Sequence, residues 1–172
     1  MKFIYSNKCT AYCSPGHPES PERVKIIYDF LKLKGAEFVE PLPCSKQDIL
    51  LAHTPDLLHN VREGQFIDPD TPALANIYEY ARLATGGAIL ASEVLGFSIM
   101  RPPGHHAGKN YLGGFCYFKS GPLYLILIVI TEMGLRIYLR ATSKFYMSLY
   151  IDMDSFTQAQ VKNHTIILKI IP

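Results

Sequence analysis

The segment that most constrains the fold is the apolar run Phe97-Ser-Ile-Met100, which leads directly into Arg101-Pro-Pro-Gly-His-His-Ala-Gly108. The two prolines fix φ and remove backbone donors, so the chain passes there from a strand into a stiff turn. A helical pattern precedes the run, from Pro72 to Leu95, and is predicted to end at Gly96. A strand, a helix and a strand followed by a polar loop are typical of a parallel α/β sheet, whose sites lie at the carboxyl edge.

Local patterns predict the remaining elements. Lys2-Phe-Ile-Tyr-Ser6 is predicted as a strand. Helices are predicted where a polar capping residue precedes apolar residues at helical spacing. These capping residues are Ser20, Ser45 and Thr54. Within the long helix, Gly86-Gly87 lowers helix propensity and is expected to let another backbone approach closely. The apolar run from Leu123 to Ile130 is too short to cross a bilayer, which takes about 20 residues, and is predicted as a buried strand.

Composition is that of an ordinary globular protein. The chain has 172 residues, of which 48% are hydrophobic and 19% are charged, so one domain over residues 1–172 is expected. The net charge of +2, without a dense basic cluster, gives no indication of a nucleic-acid partner. No charged leader precedes a long apolar stretch, and the four cysteines lack the spacing of a zinc ribbon. We therefore expect free thiols, a cytoplasmic location and no membrane association.

Two adjacent histidines, His105 and His106, occupy the stiff turn. Rigid loops commonly carry catalytic groups, and histidine titrates near neutral pH. One neutral ring can accept a proton while its neighbour is charged or hydrogen-bonded, which is an acid/base arrangement. A bare pair of histidines would more simply be metal ligands or partly exposed loop residues, and it is the flanking residues that favour catalysis.

Those flanking residues resemble a known family. Arg101-Pro-Pro-Gly-His-His-Ala107, followed by Gly114-Phe-Cys-Tyr-Phe118, is similar to the zinc-dependent histone deacetylases, the acetoin-utilisation proteins and the acetylpolyamine amidohydrolases. Further matching segments are Tyr5-Ser6, His17-Pro-Glu-Ser-Pro-Glu-Arg23, Asp68-Pro-Asp-Thr71 and Leu149-Tyr-Ile-Asp-Met-Asp154. The resemblance covers residues 2–118 and 149–154. It implies an α/β fold of three layers, a parallel sheet flanked by helices as in arginase and the deacetylases.

The resemblance also implies a catalytic group and a metal. His105 and His106 would be the catalytic pair, one of them the general base on a metal-bound water. Asp152 would orient a catalytic histidine and help to hold a structural monovalent cation. The metal would be zinc, which polarises an amide carbonyl and lowers the pKa of its bound water, with Asp154 as its first ligand. Phe156 stands where a histidine ligand is expected, and a phenyl ring has no lone pair to donate.

Substrate contacts are implied in the same way. The carbonyl of Gly114 would accept a hydrogen bond from the substrate, Phe115 would wall a narrow tunnel, and Asp70 would grip the substrate backbone. An inner pocket, through which acetate leaves, would be lined by Arg23, Arg101 and Cys116. By residue type alone, Phe115 and Cys116 are equally compatible with core packing, and Arg23 with an exposed helix face.

The other polar residues have simpler interpretations. Asp68 and Asp70 lie in a Pro-rich turn, where Asp commonly caps its own backbone. His17, in a Pro-Gly-His-Pro segment, is expected to be structural. His53 and His59 are predicted on helices and belong to no motif.

After residue 118 the family pattern is lost. Lys119-Ser120 replaces a pair of asparagines, and the chain ends at Pro172 before a second aspartate ligand and an oxyanion-stabilising tyrosine are supplied. The sequence therefore predicts a partial, truncated domain, family-like over 1–118 and divergent over 119–172. Either a short paralogue with an altered site or a family gene damaged by truncation or a frame change fits this pattern, and we favour the second. An inserted stretch between two in-frame parts would also fit.

The implied function is a zinc-dependent amide hydrolase that removes acetyl or other acyl groups from lysine side chains or related acylamines. Its substrate would be a small-molecule or peptide acylamine, and the chain would be weakly active or inactive. The alternative is a non-catalytic binding or interaction module derived from a deacetylase. A third and weaker hypothesis, a nucleotide-sugar enzyme, depends on Asp152-x-Asp154 alone. An unpaired sheet edge would also favour self-association.

Overall fold

The computed structural model describes residues 1–120 with their side chains and, beyond them, only the backbone of four strands. It divides the chain into two compact units, Met1–Gly121 and Pro122–Pro172. Asp152 and Asp154, which were predicted as site residues, lie outside the described residues, as does Phe156.

A three-stranded parallel sheet organises the first unit. Strand β1 (Lys2–Ile4) lies between β2 (Glu37–Val39) and β3 (Phe97–Ser98). In this register Ile4 is opposite Val39 on one side and Ser98 on the other. The predicted parallel α/β architecture is confirmed, although β1 and β3 are both two residues shorter than predicted.

Helices connect these strands. They are α1 (Glu22–Leu33), α2 (Lys46–Leu50), α3 (Pro55–Glu63) and α4 (Ile77–Glu93), with a short 3-10 helix at Asn7–Thr10. The predicted caps of α2 and α3 are confirmed, because the side chains of Ser45 and Thr54 accept bonds from backbone N–H groups of the first turn. The predicted cap of α1 is wrong. Pro21 occupies the N-cap position with helical dihedrals, and no side chain caps this helix.

The two faces of the sheet are covered by different helices. On one face Tyr5, just after β1, stacks on Tyr28 of α1 with the ring centroids 4.1 Å apart. On the opposite face, Ile4 and Ser98 approach Gly87 of α4, where an added Cβ would lie 3.6 Å and 3.1 Å from their side chains. Since neighbouring strand residues point to opposite faces, α1, the sheet and α4 form three layers, as predicted.

Helix α4 begins five residues later than predicted from Pro72. The carbonyl of Pro72 accepts a bond from the hydroxyl of Tyr117, and Asn76 has a left-handed backbone with φ 60°. The chain between them therefore forms turns, and Asn tolerates the left-handed conformation better than most residues. The expected close approach at Gly86 is confirmed, because an added Cβ would lie 2.0 Å from the carbonyl oxygen of Leu42.

The loop that follows β3 and carries His105 and His106, residues 101–120, is called the histidine loop below. Its end and helices α2 to α4 share one hydrophobic core. Its buried members are Tyr12, Cys44, Ile49, Leu57, Leu58, Val61, Ile77, Tyr78, Ala81, Tyr117 and Phe118. The loop that carries the two histidines is therefore joined to the main core at its far end, through Tyr117 and Phe118.

The second unit contains a four-stranded antiparallel sheet in which neighbours along the chain pair. Its strands are β4 (Tyr124–Thr131), β5 (Gly134–Ala141), β6 (Tyr146–Tyr150) and β7 (Ile167–Ile171), paired in that order. The strand predicted for the apolar run is confirmed as β4. Among the described residues, no helix has the length and apolar character needed to cross a membrane.

Candidate active site

Arg101 anchors the base of the histidine loop, just after the carboxyl end of β3. Its side chain is 2% exposed and forms two bonds of 2.7 Å to the carboxylate of Glu19, which is 6% exposed. Its guanidinium also donates to the carbonyls of Cys9 and Tyr12 at 2.7 Å and 3.0 Å, and lies 3.8 Å from the centroid of the Tyr12 ring. A bidentate, fully satisfied pair of this kind holds two chain segments in one geometry.

The partners of Arg101 bear on its predicted role. It was expected to line an inner pocket, and the structure commits its guanidinium to the segment from Cys9 to Glu19. Glu19 belongs to the segment that resembles the family, but the sequence did not indicate it as a partner. The assignment of Arg101 to an inner pocket stays a prediction.

His105 and His106 lie side by side, with ring centroids 4.3 Å apart and ring planes inclined by 54°. The ring of His105 is half-buried and that of His106 is exposed. Burial lowers the pKa of His105, and the nearby positive charges of His106 and Arg23 lower it further. The structure thus places Arg23 within electrostatic range of the pair. His105 is neutral at physiological pH and has a lone pair available to accept a proton.

Cys116 supports the loop from inside. It is fully buried, its sulfur accepts a bond from the backbone N–H of His106 at 3.4 Å, and its thiol donates to the carbonyl of Gly114 at 3.3 Å. Burial raises the pKa of the thiol to about 11, so it stays protonated and unreactive. The carbonyl oxygen of Gly114 keeps a second lone pair, which leaves its predicted contact with substrate open.

A tight turn carries the residues predicted to contact substrate. Gly113 and Cys116 exchange two backbone bonds, of 3.1 Å and 3.0 Å. Gly114 has φ 55°, and an added Cβ would lie 2.7 Å from the ring of His106. Only glycine fits there without displacing that ring.

Phe115 has a left-handed backbone, with φ 71°, which is uncommon for a bulky residue. Its N–H donates to the hydroxyl oxygen of Thr71 at 3.0 Å, and Thr71 is 1% exposed. Its ring packs edge-on against His17, with the centroids 4.8 Å apart. Thr71 and His17 therefore fix the residue that was predicted to wall the substrate tunnel.

The Asp68 to Thr71 turn faces this tip. Asp68 accepts a bond from the N–H of Asp70 at 3.1 Å, which is the self-capping expected of Asp in such a turn. The side chain of Asp70 is exposed. The backbone carbonyl of Asp70 accepts a hydrogen bond from His17 Nε2 at 3.2 Å. His17 Nδ1 in turn accepts from the N–H of Glu19 at 3.1 Å, so His17 is held as a structural residue. The grip of Asp70 on substrate stays a prediction.

The described residues do not provide a metal site on their own. In residues 1–120, no three His, Cys, Asp or Glu side chains are grouped so that they could hold an ion. The predicted ligand, Asp154, lies outside the described part of the chain.

Two supporting residues were missed by sequence analysis. His53 was predicted on a helix, but it lies in the bend between α2 and α3 and is buried. Thr71 was noted only as part of a matching segment. A buried hydroxyl and a buried imidazole bond here to backbone N–H groups more than 40 residues away, and no local pattern reports such contacts.

The arrangement can be compared with known proteins. The family model of the histone deacetylase domain matches residues 17–154, which include the Arg101–Glu19 ion pair, the histidine pair and the tight turn. The chain belongs to the histone deacetylase family. A probable deacetylase from Archaeoglobus fulgidus is 36% identical over 125 residues, covering 62% of this chain and 34% of the relative.

Other members of the histone deacetylase family agree with this. Histone deacetylase 8 from Xenopus tropicalis is 27% identical over 175 residues, which cover 88% of this chain and 44% of the relative. The crystal structure of the HDA15 HD domain matches with a TM-score of 0.61 and 26% identity, covering 69% of this chain and 40% of that one. The chain thus spans less than half the length of the relatives it matches.

Proposed function

We propose that this chain carries the acid/base part of a deacylase site that hydrolyses acetyl or other acyl amides on lysine side chains or related acylamines. The observation that carries the proposal is the histidine pair. His105 and His106 lie in contact on an anchored loop, after the carboxyl end of a parallel strand, in a member of the histone deacetylase family. Relatives described as deacetylases support the reaction class.

The two rings have different tasks in this proposal. His105, neutral and half-buried, accepts the proton of the attacking water, since its lowered pKa keeps a lone pair free. His106 is exposed and acts as the hydrogen-bonding or charged partner. The positive charge of His106 adds to the lowering of the pKa of His105, which favours a neutral His105 beside it.

The tight turn positions the substrate in this proposal. The free lone pair on the carbonyl of Gly114 accepts an N–H from the acylamine, and the ring of Phe115 forms a wall of the tunnel. Asp70 is proposed to grip the substrate backbone. Arg23, Arg101 and Cys116 are proposed to line an inner pocket through which acetate leaves.

When bound in sites of this class, zinc would polarise the amide carbonyl and lower the pKa of its bound water to about 7. We propose Asp154 as a ligand and Asp152 as the acid that orients a histidine, with a monovalent cation nearby. The described residues do not fit the metal by themselves, so its binding has to be measured. The four free thiols support the proposal of a reducing compartment such as the cytoplasm.

A non-catalytic binding module remains the alternative, favoured by Phe156 at the position where a histidine ligand is expected. A zinc titration of the full chain with a fluorogenic acetyl-lysine peptide separates the two. The hydrolase predicts turnover that a chelator abolishes and that His105→Ala lowers by at least about 100-fold.

The matched control is His59→Ala, because His59 is exposed on α3 away from any motif. It should keep the wild-type rate. No zinc uptake and no turnover by the wild-type chain would favour the binding module, and equal rates for His105→Ala and wild type would contradict the role of His105.

A further inference from the structure

His53 is a buried imidazole outside the candidate catalytic pair. It lies in the bend between α2 and α3, is 4% exposed, and packs near Phe118 with the ring centroids 5.7 Å apart. Its Nδ1 atom has no hydrogen bond of good geometry among the described residues, although the backbone of Gly108 and Lys109 lies close enough to act on the ring. A polar atom buried in this way costs free energy, and the hydrogen bond made by the other ring nitrogen offsets that cost.

The other nitrogen holds the far end of the histidine loop. Nε2 accepts a bond of 2.7 Å from the backbone N–H of Lys119. An acceptor nitrogen carries no proton, so the ring is neutral and its single proton is on Nδ1. Protonating the ring would place an N–H against an N–H and break this bond.

Thr54, the residue after His53, holds the histidine loop at a second point, before the tight turn. The N–H of Thr54 donates to the carbonyl of Lys109 at 2.8 Å. His53 and Thr54 together therefore fasten positions 109 and 119, which enclose the tight turn. The fastening is made to backbone groups, so it is independent of the exposed lysine side chains.

The backbone on either side of Lys119 also packs against Gly104, the residue that precedes the histidine pair. At Gly104 an added Cβ would lie 2.4 Å from the backbone nitrogen of Ser120 and 2.6 Å from the carbonyl oxygen of Phe118. Gly104 thus packs directly on the backbone that His53 holds. Since Gly104 immediately precedes His105, a shift of Lys119 is transmitted to the pair over one peptide unit.

We propose that His53 is a positioning residue of the candidate active site, whose neutral ring fixes the histidine loop through the Lys119 backbone and releases it when protonated. This rests on the proposed function only in that the loop is taken as catalytic. Burial lowers the pKa of His53, the backbone of Gly108 and Lys109 opposes that shift, and the charge of Lys119 adds to it. Lys119 is the charged group that acts on the ring among the described residues.

The test measures hydrogen exchange of the Lys119 amide in the full chain by NMR, expressed as protection relative to the intrinsic rate at each pH. In the wild type, protection should fall by about 2- to 10-fold as the His53 ring titrates, which corresponds to the loss of one hydrogen bond. The backbone amide signals of His105 and His106 should shift in the same pH range.

Two variants form a matched pair. His53→Gln places an oxygen near the Nε2 position and cannot titrate, so Lys119 protection should stay high and independent of pH. His53→Asn places its polar group near Nδ1 and leaves Lys119 without an acceptor, so protection should be low at every pH. Equal protection in these two variants would overturn the proposal.

The wild-type titration decides the proposal even where a variant fails to fold. Protection of Lys119 that does not change while His53 titrates would contradict it. Turnover is not the readout, so a chain without deacylase activity can still show the release of Lys119, and the failure of one proposal is distinguishable from the failure of the other.

Discussion

The base and the tip of the histidine loop are built differently. The base consists of two bonds made by buried side chains: Arg101 donates to the carboxylate of Glu19, and His53 accepts from the backbone N–H of Lys119. The tip, which we define as His105, His106 and the turn Gly113–Phe115, is half-buried or exposed. The interactions that hold the loop in place therefore lie away from the groups proposed to do chemistry. Substitutions at the base should therefore cost stability, and substitutions at the tip should cost activity.

The largest effect is expected at the ion pair of the base. Glu19→Ala would leave the buried guanidinium of Arg101 without its carboxylate, which should lower the free energy of unfolding by about 3–5 kcal/mol. Urea unfolding at pH 7.5 measures this. Glu63→Ala, which removes an exposed pair with Arg62, is the control and should change little. Equal losses for both variants would contradict a special role of the base.

A smaller effect is expected where the base meets the tip. Thr71→Val keeps the shape of the side chain but leaves the N–H of Phe115 without its acceptor, so the free energy of unfolding should fall by about 1–3 kcal/mol. Thr71→Ser keeps the hydroxyl and is the control, measured by the same unfolding curves. A serine variant that is less stable than the valine variant would indicate that the methyl group matters more than the hydrogen bond.

Base and tip should also differ in pH dependence. The pKa values of His53 and His105 are both lowered by burial from 6.5. The unfolded chain then binds more protons just below pH 6.5, so stability is complete above that pH and is lost as pH falls towards the folded-state values. His53 is the more buried ring, so His53→Gln should flatten the profile of melting temperature between pH 5 and 7.5 more than His105→Gln does. A larger flattening by His105→Gln would contradict the assignment of His53 to the buried base.

The smallest effect on stability is expected at the tip. His105→Gln at pH 7.5 should change the free energy of unfolding by no more than about 0.5 kcal/mol, since the half-buried ring is neutral and makes no ion pair within residues 1–120. The same urea curves serve as the measurement. A loss comparable to that of Glu19→Ala would mean that His105 is part of the anchor.

Much of the fold could be predicted because its signals are local. Thr54 followed by proline marked the start of α3, and Gly86 marked a close approach that the structure places at Leu42. The histidine pair was visible for the same reason, since both rings and their rigid support are consecutive in sequence. The start of α4 was missed because the pattern from Pro72 is helical in spacing, whereas Tyr117 claims a carbonyl in its first turn.

The rest of the site could not be predicted because its partners are distant in sequence. Glu19 meets Arg101 across 82 positions, and His53 meets Lys119 across 66. Residue type gave no guide to them either. Glutamate is ordinarily exposed, and a lone histidine outside any motif indicates no partner. Only the fold brings these two residues to the loop.

The position of β1 at the centre of the parallel sheet has a consequence for how the chain reaches this structure. Phe3 pairs on one side with Phe38 and on the other with Phe97, so the second pairing closes a loop of more than 90 residues. Such a sheet forms slowly, because the cost of closure comes before the contacts that repay it. Until β3 has been synthesised and docked, one edge of an apolar strand stays open, and during that interval a chaperone or a second nascent chain has access to it.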